Sequence, residues 1–429
     1  MVQKDVVLKA LSEIIDPDLG KDIVTLGFIK ELVISSGKVS FAIELTTPAC
    51  PLKNQFREAA EKLVGEIEGV EKVNVTMTAR NSRDEKSENG LKQVKQIIAV
   101  ASAKGGVGKS TVAATLACEL RDQGYKTGLL DTDIFGPSVP TLFNISKPEV
   151  FQREKMLIPM EKDGLKLMSF GFLMGDAPAI MRGPMVSGYM QQILLQVEWG
   201  ELDYLIIDMP PGTGDIQLTL SQTIQVDGAV IVTTRAALSL VDVSRGILMF
   251  EKVGVPMLGV VENMSHFICD SCDKEHFIFG EAKAPGERFG LETLAQIPLE
   301  PGRGRNMENY KSNELNKSLV ENIARALGKA TAAKIEPPEV VQETDTVVVK
   351  WNDKEDWKIN AVHMRSSCRC ALCVDEYSGE KILNDEDIPR DIKVESVTPL
   401  GNYALAVSWS DGHSSGIFPY NQLKELAKA

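Results

Sequence analysis

Residues 101–111 read Ala-Ser-Ala-Lys-Gly-Gly-Val-Gly-Lys-Ser-Thr, and no other stretch of the chain limits its fold so tightly. Glycines followed by Lys109 and Ser110 let backbone N–H groups and an ammonium wrap a nucleotide phosphate. The loop follows the apolar run Ile97-Ile98-Ala99-Val100 and precedes the helical stretch Val112–Leu120. Strand, loop and helix in that order place a helix N-terminus, with its partial positive charge, beside the phosphates. A glycine-rich turn before an ordinary helix is the plain alternative, and the agreement of motif with context weighs against it. Lys104 is a second cation that the general loop does not require.

The strands that such a loop needs can be read around it. Thr127–Asp131, Tyr204–Asp208, Ala229–Thr233 and Met257–Val261 are short apolar runs, as strands covered on both faces should be. They join Gln96–Ser102 and alternate with helical stretches, which implies an α/β fold with a doubly wound, mainly parallel sheet. Asp208 ends its strand, so it lies at the ligand-binding edge and can share Mg²⁺ with Ser110. Asp131 and Asp133 end the Thr127 strand; one would orient water for attack on the γ-phosphate while the other supports the magnesium. Spacing alone does not say which does which.

At 429 residues the chain has room for roughly three domains. Residues 1–80 form a small α+β unit: a helical pattern opens it, strand alternation follows at 39–45, and a second helix runs near 52–65. A polar linker occupies 81–92, the NTPase-type domain 93–330, a proline-bearing acidic linker 331–344, and a β-rich module 345–429. The net charge of −13 argues against a nucleic-acid surface. No apolar run of about 18 residues is present, so no membrane span is expected. The opening residues lack a signal-peptide core, and a cytosolic, reducing compartment is the default expectation. If a transit peptide has been removed, an organelle stroma or matrix replaces it.

In that setting, clustered cysteines point to metal or redox chemistry rather than disulfides. Cys269 and Cys272 are two residues apart on one loop and can serve one metal centre. Two ligands are too few for a closed site, whereas a two-fold homodimer supplies four. His276 leaves a second reading open, a zinc site of Cys-x2-Cys-x3-His form, and a thioredoxin-like redox pair is a third. Cys368, Cys370 and Cys373 are too close together to pair easily but can grip one tetrahedral ion, with His413 as the fourth ligand. Cys50 lies between a proline turn and a helix start, where the helix dipole would lower its pKa. Cys118, inside the helix after the phosphate loop, reads as core.

The motifs KGGVGKST, LLDTDIFGPSVP, MRGPMVSG, DYLIIDMPPGTGDIQLTL and VENMSHFIC, in that order, resemble the Mrp/ApbC family of iron–sulfur cluster carriers. That family sits in the deviant Walker A group with nitrogenase iron protein and the MinD and ParA ATPases. The resemblance implies an ATP-hydrolysing homodimer that carries a [4Fe–4S] cluster and passes it from upstream donors to client apoproteins. It implies that the loop residues Ala103, Lys104, Gly105, Gly106, Val107, Gly108, Lys109, Ser110 and Thr111 cradle ATP. Lys104 would reach the partner's nucleotide, Lys109 the β/γ-phosphates, and Ser110 the Mg²⁺. Asp133 would position water, with Asp131 and Asp208 beside it. Asn263 would contact adenine, and Cys269 and Cys272 would share the bridging cluster. One departure is visible: where the family usually reads Thr-Thr-Pro-Gln, this chain has Thr233-Thr234-Arg235-Ala236.

The flanking units also carry resemblances. Residues 1–80 are similar to iron–sulfur assembly factors of the SufT type, whose matching cysteine, here Cys50, is functional. The C-terminal module resembles the N-terminal domain of γ-butyrobetaine hydroxylase, which implies a Zn²⁺ site at Cys368, Cys370, Cys373 and His413. Free thiols or another iron–sulfur site are the alternatives there. The three-part order looks like the plastid-type branch of the carrier family. Two other functions compete. A MinD- or ParA-like positioning ATPase needs a membrane-binding tail or a basic DNA-binding face, and residues 421–429 are too short and mixed for the first. A zinc-stabilised, nucleotide-gated scaffold without cluster transfer is the other.

Overall fold

The computed structural model describes residues 2–428 apart from 36, 81–88, 149, 175–182, 213–214, 236, 279, 281–285, 287–288, 301–305, 309, 333–338, 343–345, 351–355, 371, 376–379, 401–403 and 415. Most of both expected linkers, the first two residues of MRGPMVSG and Ala236 therefore lie outside the described residues.

An eight-stranded sheet organises the centre. Across the sheet its strands run Met160–Lys162, Leu165–Ser169, Thr127–Asp131, Leu202–Asp208, Val94–Ala101, Gly228–Thr233, Met257–Asn263 and Thr293–Ile297. All pairings are parallel except the edge pair of Met160–Lys162 with Leu165–Ser169. The β-type runs Ile97-Ile98-Ala99-Val100 and Leu205-Ile206-Ile207 are fully buried, as strands with helices on both faces require. Val94–Ala101 pairs with Leu202–Asp208 on one side and with Gly228–Thr233 on the other. The chain order thus reverses around it, and a ligand crevice opens at its carboxyl end. From that end runs the phosphate-loop helix Lys109–Asp122.

The N-terminal unit has its own core, built from Val7, Leu11, Phe41, Ile43, Phe56 and their neighbours. Helices Lys4–Leu11 and Lys53–Gly65 accompany a three-stranded sheet, in which Lys38–Leu45 pairs parallel with Lys72–Ala79. The C-terminal module carries two antiparallel three-stranded sheets around Trp409, Phe418 and Met364. Its helix Ala361–Ser366 starts on Asn360, whose side chain accepts the N–H groups of Val362 and His363.

Both outer units touch the centre. Thr47 Oγ1 lies 2.6 Å from the Tyr204 hydroxyl, which also accepts the Ala49 N–H at 2.8 Å. Arg325, on helix Glu314–Ala332, binds both carboxylate oxygens of Asp18 at 2.9 and 2.7 Å. On the other side, Ala404 and Ile417 of the C-terminal module join an apolar cluster with Ile231, Val243, Ile247 and Phe289.

Candidate functional site

Gly106 and Gly108 hold φ values of 83° and 84°, a left-handed backbone that a side chain disfavours. At Gly108 a Cβ would also fall 2.2 Å from the Asn263 amide nitrogen. Asn263 stands at the end of the strand Met257–Asn263 and donates from Nδ2 to the Val107 carbonyl at 2.8 Å. The phosphate loop is therefore tied to a strand two places across the sheet.

Beneath the loop lies a buried charge cluster. The Lys109 ammonium bonds the Asp208 carboxylate and sits 3.2 Å from Ser110 Oγ. Ser110 also bonds Asp208, and Ser138 Oγ donates to it at 3.4 Å. Burial pushes the Asp208 carboxyl above its ordinary range, and the Lys109 charge opposes that rise. Ser110 and Asp208 thus converge, as a shared Mg²⁺ requires.

Asp131 and Asp133 have different environments. Asp131 is fully buried, and its carboxylate accepts the N–H groups of Asp133, Ser138 and Val139 and the Ser169 hydroxyl. Those bonds shape the turn into the short helix Val139–Leu142. Asp133 stands on the loop beyond the strand, and its Oδ1 accepts Phe135 and Gly136. Burial, then the nearby Asp208 charge, raise the Asp131 carboxyl from 3.8 to about 7. The folded chain holds that proton to higher pH than the unfolded chain, so folding takes up a proton between those values. Stability accordingly falls as pH rises from about 4 to about 7. Asp131→Asn should flatten that slope in denaturant melts run across the window. At the acid end of the window it should cost about 1–3 kcal/mol, because an amide cannot accept all four donors, and that deficit should shrink as pH rises.

The cysteine pair sits on a hairpin that grows from the same strand. Residues 264–268 alone separate Asn263 from Cys269. Met264 takes a φ of 54°, and Ser265 is pinned through both its N–H and its hydroxyl to the Ile297 carbonyl. Phe267–Ile268 then pairs with Glu275–His276, and the turn between them carries both cysteines. The amide of Ser271, then the Cys272 thiol and amide, hold the Cys269 thiol below its ordinary pKa. A tight turn aiming donors at a half-buried sulfur favours the thiolate that binds metal. His276 is taken up in the strand pair, and His266 rests on Phe277 with ring centroids 5.6 Å apart.

Among the described residues, the group of three or more metal-type ligands that meets around one point is Cys368, Cys370, Cys373 and His413. Their ligand atoms all lie within 4.8 Å of one another, and His413 Nε2 stands 3.4, 3.5 and 3.9 Å from the three sulfurs. Tetrahedral zinc with ordinary bond lengths sets sulfur–nitrogen separations of about 3.5 Å, so the donor set fits that ion. Bonding to Cys370 and Cys373 drives the Cys368 thiol far up. A divalent cation is what makes such crowding favourable. Arg365, which sequence reasoning missed, donates to Cys373 Sγ at 3.3 Å and to Asp411 at 2.8 Å, while Asp411 accepts the His413 N–H. This supporting ring orients two of the ligands.

Cys50 departs from expectation. Burial, and after it the charges of Asp16 and Asp18, push its thiol up, although the Leu52 amide opposes them. The dipole of the following helix does not decide its state. Its loop docks on Tyr204, near the start of the strand that ends at Asp208. The Cys50 loop therefore lies by the early residues of the strands Leu202–Asp208 and Val94–Ala101, whereas the phosphate loop leaves the carboxyl end of the latter. Cys118 is fully buried and pushed up to about 12, as a core thiol should be.

Comparison with known proteins gives three matches along the chain. Residues 93–333 match the family described as NUBPL iron-transfer P-loop NTPase. Residues 4–77 match the iron–sulfur cluster assembly protein family, and residues 339–424 the γ-butyrobetaine hydroxylase-like N-terminal family. The chloroplastic Fe-S cluster assembly factor HCF101 of Arabidopsis thaliana is 42% identical, over 99% of this chain and 83% of that protein. The iron-sulfur cluster carrier protein of Synechocystis is 46% identical, over 70% of this chain and 88% of its own length. A solved nucleotide-binding protein from Archaeoglobus fulgidus, in complex with ADP, is 38% identical over 55% of this chain and 89% of its own, with a TM-score of 0.45.

Proposed function

The chain belongs to the iron-transfer P-loop NTPases, and from that premise we propose that it is an ATP-hydrolysing carrier of [4Fe–4S] clusters. One observation carries the reading. The strand whose last residue, Asn263, holds the phosphate loop continues directly into the hairpin of Cys269 and Cys272. Nucleotide site and cargo site share one strand end.

In this reading Lys109 grips the β/γ-phosphates, Ser110 and Asp208 hold Mg²⁺, and Asn263 meets adenine. The bound ion would neutralise phosphate charge. Asp131 is committed to its own turn, so Asp133 is the acid left at the loop to position water. Lys104 crosses to the partner's nucleotide. Two copies of the hairpin supply four thiolates, and a two-fold axis through the cluster relates them in two pairs. Opening and closing of that dimer with the nucleotide state would expose the cargo to client apoproteins. Cys368, Cys370, Cys373 and His413 hold zinc, which ties the C-terminal module together. The acidic chain meets no nucleic acid in this reading, and no helix among the described residues is long and apolar enough to cross a membrane. The chloroplastic relative suggests an organelle stroma as its place of work, with the cytoplasm as the alternative.

Metal analysis tests the proposal. After anaerobic reconstitution with iron and sulfide, the expected content is about two iron atoms and one zinc per chain, the iron ratio being that of one four-iron cluster over two chains. Zinc with no iron would overturn the carrier reading and favour a nucleotide-gated scaffold.

A further inference from the structure

Arg235 stands where the resembled family has proline, and its side chain does something proline cannot. It is 8% exposed, and it lies against Glu262, which is fully buried. Its Nε and Nη2 both bond that carboxylate. The carboxylate is further held by Gln296 Nε2 at 2.9 Å. The remaining arm, Nη1, donates to the Gly280 carbonyl at 3.0 Å, and the guanidinium lies 5.2 Å from the centre of the Phe277 ring.

The positions of these partners give the contact its meaning. Glu262 immediately precedes Asn263, the residue that holds the Val107 carbonyl of the phosphate loop. Phe277 immediately follows Glu275–His276, the returning strand of the cysteine hairpin. The outgoing limb is joined to Asn263 by the chain itself. Arg235 joins the returning limb to the neighbouring residue, so both limbs of the hairpin are referred to the same strand end. A planar fork that is bidentate to a carboxylate and stacked on an aromatic ring is a stiff connector, which lysine would not reproduce.

We propose that Arg235 is a positioning residue that transmits the state of the phosphate loop to Cys269 and Cys272. A shift of the loop that moves Asn263 also moves Glu262, and through Arg235 it carries Phe277 and Gly280 along with the outgoing limb. The cysteine turn then moves as a unit, rather than pivoting about a single covalent limb. The inference rests on the carrier reading for its purpose, though the coupling itself needs no cluster.

The test reads thiol reactivity in the full-length protein. Alkylation rates of Cys269 and Cys272 are followed by peptide mass mapping, without nucleotide and with Mg²⁺ and a non-hydrolysable ATP analogue. In the parent chain the nucleotide should change those rates by about fivefold or more, the lower end of ordinary site-to-site coupling. Removing Arg235 alone would strand a buried carboxylate. The first variant therefore pairs Arg235→Met with Glu262→Gln, and Phe277→Leu is a second that leaves the ion pair intact. Both should keep analogue affinity within about twofold while the nucleotide effect on the thiols shrinks below about twofold, so that binding survives and coupling does not. A parent chain whose thiols ignore the nucleotide, or variants that keep the full effect, would overturn the proposal. Failure of the carrier reading is a separate result, namely no iron on reconstitution, and leaves this readout intact.

Discussion

Cys269→Ala and Cys272→Ala should each abolish iron loading while nucleotide affinity stays unchanged. The effect is large because each substitution removes a ligand from both chains of a dimer, leaving two thiolates of four. Outer partners that merely orient a metal ligand are already worth about 10–100-fold in affinity. Loss of half the ligands should leave no measurable iron–sulfur absorbance after reconstitution. The nucleotide site should be spared, since the cysteine turn lies beyond Ser265, which is anchored separately on Ile297. The readouts are visible absorbance, iron per chain and nucleotide titration on the same preparations. A variant that kept its absorbance would relocate the cargo, with Cys50 the first thiol to examine.

Lys104→Ala should lower ATP turnover by about 10³-fold or more, the scale of a charge supplied to the transition state by a partner. Nucleotide affinity should change little, because Lys109, Ser110 and the loop amides belong to the same chain. A mixing experiment makes the claim specific. A Lys104→Ala chain keeps its own Lys109, and a Lys109→Ala chain keeps its own Lys104. Each is inactive alone, but a mixed dimer contains one complete site. Turnover should therefore return on mixing the two inactive variants. If Lys104 served its own chain, mixing would restore nothing.

The phosphate loop, the strands flanking it and the two cysteine clusters were legible in the sequence because each depends on short-range patterning. Ile97–Val100 and Leu205–Ile207 are uninterrupted apolar runs, and the chemistry of the loop sits within eleven residues. Three strands of the central sheet escaped that reading. Met160–Lys162 is a three-residue edge strand with two charged residues, Leu165–Ser169 carries Lys166 mid-strand, and Thr293–Ile297 is an edge strand containing Gln296, so none shows the unbroken apolar run of its neighbours. The contacts that arrange the sites were not legible. Arg365 on Cys373, Tyr204 under Thr47, and Arg235 between Glu262 and Phe277 join residues that local periodicity does not relate. The unusual residue at 235 was visible, but its partners were not. Cys50 shows the same limit from the other direction. A helix start in the sequence suggested an activated thiol, and tertiary burial with two nearby aspartates reversed its tendency.

The two lysines of the loop and the two cysteines of the hairpin were separate motifs in the sequence. The strand Met257–Asn263 brings them into one argument, since it touches the first and leads into the second. That argument requires one assembly in which each chain completes its partner. The direct test is the mass of the reconstituted particle by native mass spectrometry, taken with its iron content. The account predicts a species of two chains carrying one four-iron cluster, which falls to single chains when the cluster is removed by chelation. A single chain that holds four iron atoms by itself would contradict it.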